Sequence, residues 1–169
     1  MTNPKTIHQD RVRRIRTLTA SLPAFPGDLT DDIQTTPGTH LMTGEGAIDA
    51  FNMVTVYGLR TDGCGTVGCI AGLTVQEYPD LAAQTRRRIA HEYNWPIDGV
   101  DILDVAGDIL GLDHTTRNEL FCAVSSPWAD DLGRASKEAV IGALDRILDG
   151  HRGPAIWTPV RPEPATARR

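Results

Sequence analysis

A segment of ten residues, 63–72, constrains the fold of this chain more than any other part of the sequence, because it contains four glycines and two cysteines. Thr66 within it is a preferred N-cap residue, and the apolar residues after it predict a short buried helix that runs toward Tyr78 and is closed by Pro79. A glycine in a helix interior costs about 1 kcal/mol relative to alanine. We therefore expect these small residues to allow another backbone to approach closely in a helical interior.

The same segment also fits two kinds of catalytic or cofactor site. Residues 63–68 match the glycine spacing of a dinucleotide-binding loop, although no strand leads directly into the first glycine and the next segment predicts a helix. Cys64 lies just before the predicted short buried helix, which we call the cysteine helix. At the N-terminal end of a helix, the helix dipole lowers the pKa of a thiol and favours the nucleophilic thiolate. The histidines available as a base are His40, His91, His114 and His151, and the sequence does not choose among them.

Two further arrangements of the cysteines stay open. A tetrahedral metal site would need Cys64, Cys69, Cys122 and a histidine to converge, but the chain has no second pair of closely spaced cysteines. A disulfide between Cys64 and Cys69 would need their Cα atoms to lie within about 7 Å of each other. Because the chain has three cysteines and no N-terminal export signal, we expect reduced thiols, no metal and no cofactor. The residues placed to bind a small anion at the helix start are Cys64, Gly65, Thr66 and Cys69.

Length, composition and charge limit the class of protein. The chain has 169 residues, of which 40% are hydrophobic, and this suffices for one core. No stretch approaches the roughly 20 apolar residues that span a bilayer, so we expect a cytosolic protein. The formal charge of −5 combines +4 in residues 1–22 and +3 in residues 150–169 with −12 between them. The basic ends are either simply solvated or available to an acidic partner or a neighbouring copy.

Helical periodicity recurs along most of the chain. Residues 6–22 predict an amphipathic helix with its arginines on the outer side, and residues 24–46 predict a long loop. Residues 47–59 fit either a short strand or a helix, and we favour an irregular-to-helical structure. Further helices are predicted from Pro79 to Tyr93, after a cap at Asp98 or Asp101, after a cap at Asp113, and from a cap at Ser136 to Asp149, with Gly150 at the C-terminal end.

These elements predict a mainly α fold, with a single helical domain of five or six helices that has the cysteine helix at its centre. A long N-terminal loop region and a Pro/Arg-rich C-terminal tail accompany this domain. The chain divides into an N-terminal amphipathic helix (1–22), a loop (23–46), a helical core domain (47–150) and a tail (151–169). Trp157 in the tail is a candidate anchor to the body or to another molecule.

Residues 105–121 predict a helical hairpin with the spacing of a helix-turn-helix. Aligning Gly111 with the turn glycine places Arg117 where the second helix of a DNA-binding hairpin buries an aliphatic side chain. The acidic residues in and around the hairpin would repel phosphates, and they are Asp101, Asp104, Asp108, Asp113 and Glu119. The sequence therefore disfavours a protein that binds double-stranded DNA.

The order of these segments resembles a family of uncharacterised small proteins found in bacteriophages and prophages of actinobacteria and proteobacteria. The resemblance covers roughly residues 50–157 and depends most on residues 64–72. Its other elements are Phe51, Asn52 and Met53, then Leu110, Gly111 and Leu112 with Leu120 and Phe121, and the helix at 139–148 before Trp157. The resemblance implies a phage context and supplies no activity, cofactor or catalytic residue. Cys122 is a departure from the pattern.

No nucleophile, base and orienting acid occur with a recognisable spacing. We therefore expect a non-enzymatic phage-encoded binding or accessory protein, acting on a protein partner or its own copies, with a small anionic ligand as a further candidate. A cysteine-dependent hydrolase or transferase that uses Cys64 is the first alternative, and a self-associating virion structural protein is the second. The expected location is the cytoplasm of the bacterial host cell or the virion.

Overall fold

The computed structural model describes residues 6–24, 33–35, 50–51, 57–60, 66–121 and 136–157. Within these ranges the fold is mainly α-helical, which confirms the predicted fold class. The helices are α1 (Gln9–Ser21), α2 (Ile70–Glu77), α3 (Pro79–Tyr93), α4 (Ile102–Leu110), α5 (His114–Phe121) and α6 (Lys137–Leu148). Two 3₁₀ turns, at Ile97–Gly99 and Gly153–Trp157, follow α3 and α6.

In the described ranges before α2, four short strands form a small sheet. They are β1 (Ile33–Thr35), β2 (Ala50–Phe51), β3 (Tyr57–Arg60) and β4 (Thr66–Gly68), in the order β1-β3-β4-β2. The central strands β3 and β4 are antiparallel, with Gly58 opposite Val67, and β2 runs parallel to β4. The irregular-to-helical interpretation of residues 47–59 is therefore wrong for β2 and β3. A short apolar run forms a strand where a neighbouring strand can pair with it, and the run alone does not show this.

The cysteine helix begins later than the sequence predicts. Thr66 is paired with Leu59 in the sheet and does not cap a helix, whereas Cys69 occupies the N-cap position of α2. The helix then ends at Glu77, and Pro79 opens α3 as predicted. The hydrogen bonds between β4 and β3 therefore outweigh the local preference of threonine for an N-cap position.

Helix α2 lies at the centre of the helical body. Every residue from Ile70 to Val75 is buried, and α2 packs against α1 and α4. A helix that is buried on all sides needs its polar groups satisfied internally. Thr74 meets this need because its hydroxyl donates to the carbonyl of Ile70 at 2.7 Å. The predicted central position of the cysteine helix is confirmed.

Helix α1 packs on the body with Val12, Ile15 and Thr19 buried. Its arginines do not simply face solvent, as the sequence analysis allowed, because three of them bind other helices of the same chain. The guanidinium of Arg11 donates to the Ile109 carbonyl at 2.8 Å, Arg14 pairs with Glu77 at 2.6 Å, and Arg16 holds both carboxylate oxygens of Asp145 at 2.8 and 3.1 Å. The basic N-terminal helix therefore contacts the acidic body of its own chain.

The body also extends further toward the C-terminus than predicted. Ile156 and Trp157 are buried, and the Trp157 indole nitrogen donates to the Glu119 carbonyl at 3.1 Å. Arg146 fixes the same turn by donating to the Ala155 carbonyl at 2.8 Å. The packed body therefore includes Gly153–Trp157, part of the segment that the sequence assigned to the tail, and Trp157 anchors this turn to the body. Residues 158–169 lie outside the described part of the chain.

The predicted helix ends agree with the structure at most positions. Asp101 accepts from the Leu103 amide at 2.9 Å, and Asp113 accepts from the Thr116 amide at 2.9 Å. Ser136 likewise accepts from the Ala139 amide at 3.1 Å, and Gly111 ends α4 with φ at +71°. Most of the predicted loop at 23–46 falls outside the described residues.

Candidate functional site

The small-anion site stays a prediction, because two of the four residues that the sequence assigns to it lie in the described part of the chain and two do not. Cys64 and Gly65 lie outside it, as does Cys122, so a nucleophilic Cys64 stays a prediction. Thr66 lies in β4 and Cys69 at the start of α2. Among the described residues, no three His, Cys, Asp or Glu side chains are arranged to hold a metal ion.

Cys69 is a free thiol inside the core, with 4% of its surface exposed. It therefore does not form the disulfide that the sequence left open. Burial raises the pKa of the Cys69 thiol, and the backbone amides of Gly72 and Ala71 oppose this shift without reversing it. Because the thiolate is the reactive form, the thiol of Cys69 serves packing better than nucleophilic chemistry.

A cleft of about 430 Å³ opens where the end of α3, the outer side of α4 and the start of α5 meet. Its lining combines charged side chains with two aromatic rings. The lining residues are Arg88, Ile89, Glu92, Tyr93, Trp95, Asp104, Asp108, His114 and Arg117. Of the histidines considered as a base, His91, His114 and His151 belong to the described residues, and among these His114 lines the cleft, with its Nδ1 3.4 Å from the Asn118 amide nitrogen.

Ion pairs join the three helices around the cleft. The half-exposed guanidinium of Arg88 donates to Glu92 at 2.8 Å and to Asp108 at 2.7 Å, which links α3 to α4. Arg117 pairs with Asp104 and links α5 to α4. This ion pair holds α4 and α5 together, at a position where a helix-turn-helix buries an aliphatic side chain.

Three large apolar side chains stand exposed at and just after the end of α3, and two of them, Tyr93 and Trp95, line the cleft. We call Tyr93, Trp95 and Ile97 the aromatic ledge, and their exposed fractions are 58%, 46% and 50%. The rings of Tyr93 and Trp95 stack, with centroids 5.2 Å apart and planes inclined by 29°. Stacked aromatic rings that remain half in water are a large apolar surface without a partner in the described structure.

The backbone at the end of α3 produces this ledge. Asn94 adopts the left-handed conformation, with φ at +53°, and ends the helix. The amide of Trp95 then donates back to the Ala90 carbonyl at 2.9 Å, which places Trp95 beside Tyr93. Pro96 follows, has no amide hydrogen to continue the helix, and leads into the 3₁₀ turn at Ile97–Gly99.

The helix predicted from Pro79 to Tyr93 ends just before Trp95, and the ledge itself was not predicted. A signal was present, because three large apolar residues alternate with Asn94 and Pro96 where neither a helix nor a strand can continue. Such residues at a helix end have no periodic face to bury them. Whether another element covers these side chains depends on the tertiary structure.

Comparison with protein-family models, with curated proteins and with solved structures finds no match to this chain. Among the helices that the structure describes, none is both long enough and apolar enough to cross a bilayer.

Proposed function

We propose that this chain is a non-enzymatic, phage-encoded binding protein that recognises a protein partner through the aromatic ledge and the adjoining cleft. The observation that carries the proposal is the half-exposed stack of Tyr93 on Trp95, with Ile97 beside it. Tyrosine, tryptophan and arginine are the residues most enriched at the energetic centre of protein interfaces. Arg88 lies next to the ledge and is half-exposed as well.

The chemistry of the cleft favours binding over catalysis. Its carboxylates and guanidiniums engage one another in ion pairs that connect α3, α4 and α5. Groups held in this way give a surface a defined shape and charge pattern, which supports specificity in recognition. The cysteine-dependent alternative depends on Cys64, and no described residue provides an observation in its favour. The proposed place of action is the infected bacterial cell or the virion.

Site-specific photo-crosslinking tests the proposal. A photoreactive phenylalanine analogue replaces Trp95 in one variant and Gln84, an exposed residue earlier on α3, in a matched control. We expect a discrete crosslinked product in bacterial cells with the probe at position 95 and none with the probe at position 84. The crosslinked partner is then identified and its affinity for the purified chain is measured.

The affinity measurement uses Trp95→Ala, Tyr93→Ala and the control Gln84→Ala. If the ledge is the centre of the interface, each ledge variant weakens binding about 30-fold, which corresponds to the usual hot-spot threshold of about 2 kcal/mol. The control leaves the affinity unchanged. All three side chains are exposed, so the Tm of each variant should stay close to that of the wild type. Equal affinities for the ledge variants and the control would refute the proposed function.

A further inference from the structure

We infer that the partner segment that occupies the aromatic ledge and the cleft is basic, with a lysine or arginine side chain seated between Trp95 and the carboxylates around it. The inference rests on the proposed function and specifies the chemistry of the partner. It is drawn from the charge around the ledge and from the geometry of the aromatic rings.

The charge around the ledge is negative. The cleft lining has three carboxylates and two guanidiniums, so its charge is −1 when His114 is neutral. Over the longer stretch of residues 86–119, the sequence contains seven acidic residues and four arginines, a net charge of −3. A surface of this sign repels phosphates and acidic peptides and attracts a cationic segment.

Two exposed carboxylates flank the ledge along the chain. Glu92 directly precedes Tyr93, and its side chain is 54% exposed. Asp98 directly follows Ile97, and its side chain is 88% exposed. Asp98 is 3.7 Å from the Arg86 guanidinium, which is too far for a hydrogen bond, so its oxygens can accept from an incoming cation.

The aromatic stack supplies the second contribution. A guanidinium or ammonium within about 6 Å of an indole ring is attracted to the negative face of that ring. Because Trp95 is half-exposed and packs only partly against Tyr93, its ring remains accessible to such a cation. Exposed carboxylates that directly precede and follow the ledge in the sequence, together with its aromatic surface, favour arginine or lysine over a neutral or acidic side chain.

The basic groups near the ledge do not cancel this preference. Arg88 is shared between Glu92 and Asp108, so two carboxylates face one cation there. Arg117 is paired with Asp104, and Arg86 is mostly buried. Arg87 is exposed but does not line the cleft, and its Nε atom donates back along α3 to the Ala83 carbonyl at 3.2 Å.

Peptide titration followed by nuclear magnetic resonance tests the inference. The probes are hexaarginine and hexaglutamate, added to the ¹⁵N-labelled full chain at an ionic strength of about 0.15 M, where exposed charges more than ~8 Å apart are screened. The indole signal of Trp95 is assigned with Trp95→Phe. We expect hexaarginine to move this signal and to leave that of buried Trp157 in place, and we expect hexaglutamate to move neither.

Charge variants separate a local site from the general attraction of an acidic protein for a basic peptide. We expect Glu92→Gln and Asp98→Asn each to weaken hexaarginine binding about threefold, and Trp95→Ala to weaken it about fivefold. Asp149→Asn makes the same change in net charge at the exposed end of α6, which does not line the cleft, and should leave the affinity unchanged. Equal weakening by Asp149→Asn would overturn the inference.

Three other outcomes would also overturn it. They are a Trp95 signal that moves with hexaglutamate, a signal that moves with neither peptide, and a signal that shifts with protein concentration alone, which would identify a second copy of the chain as the occupant. The failure of this inference is distinguishable from that of the proposed function. A Trp95 signal that responds to hexaglutamate leaves the ledge as a binding face and removes only the basic partner, whereas loss of crosslinking at position 95 removes the binding face.

Discussion

Gly111 offers the sharpest test of how the helices are held together. It ends α4 with φ at +71°, and a Cβ atom at this position would overlap the carbonyl oxygen of Thr6 and lie 3.1 Å from the backbone nitrogen of His8. The same segment is tied to α4 by the His8 amide, which donates to the Leu110 carbonyl at 3.0 Å. The substitution Gly111→Ala therefore acts on the backbone of α4 and on the segment before α1 together.

The expected loss has two parts. An alanine with positive φ costs about 1–2 kcal/mol relative to its preferred conformation. The overlap with Thr6 adds about 1–3 kcal/mol, because backbone on one side or the other must move. We expect Gly111→Ala to lower the free energy of unfolding by about 2–5 kcal/mol. The matched control is Gly150→Ala, where φ is +95° but no atom lies within 4 Å of the added Cβ, so the second part is absent.

Thermal and urea unfolding of both variants, followed by circular dichroism, measures the difference. Gly111→Ala should be less stable than Gly150→Ala by about 1–3 kcal/mol, which for a chain of this size is about 2–12 °C in Tm. Hydrogen exchange provides a second measurement, because the His8 amide should lose protection in Gly111→Ala alone. Equal destabilisation of the two variants would refute the reasoning and mean that residues 6–8 do not pack against α4 in solution.

Substitutions at three other positions test separate features. Gly142 lies on the exposed side of α6, with open space where a Cβ atom would be added. Gly142→Ala should therefore raise the free energy of unfolding, measured by thermal melting, by about 0.5–1 kcal/mol. A lower stability than the wild type would contradict this reasoning. The buried hydroxyl of Thr116 accepts from the Gly153 amide at 2.9 Å and donates to Asp113 at 2.8 Å. Thr116→Val should therefore lower the free energy of unfolding in urea by about 1–3 kcal/mol, and Thr116→Ser, which keeps the hydroxyl, should lower it clearly less. Burial acts to raise the pKa of Asp113, but hydrogen bonds from Thr116 and the charge of Arg152 outweigh it and hold the pKa below its ordinary value. The stability that Asp113 contributes is thus complete above its ordinary pKa and is lost as the pH falls through the lowered pKa. Urea unfolding between about pH 5 and pH 2 should therefore show a smaller loss of unfolding free energy with falling pH in Asp113→Asn than in the wild type. The same pH profile in both proteins would contradict this.

The site was less predictable than the fold, and Cys69 and Trp95 show why. The crowding of small residues drew attention to the cysteine segment, and the structure gives Cys69 a buried packing role there. Trp95 carried a weaker signal, because a tryptophan next to a proline at a helix end has either a structural or a recognition role. Sequence patterns report which residues are compatible with an element, whereas exposure depends on what other elements cover.

Local chemistry along the chain determined the helical class, the order of the helices and most of their ends. Caps at Asp101, Asp113 and Ser136 and the glycine at 111 are decided by hydrogen bonds within a few residues, so their effect can be read without the fold.

Tertiary structure alone decided three other features: the start of α2 at Cys69, the pairing of the α1 arginines with the acidic body, and the exposure of the aromatic ledge. The arginine pairs join residues 63 to 129 positions apart, the start of α2 follows from the pairing of β4 with β3, and the ledge is exposed because no described element covers it. The free energies of such contacts are comparable to the local preferences that they override, as Thr66 shows by pairing in a strand where its own preference was to begin a helix.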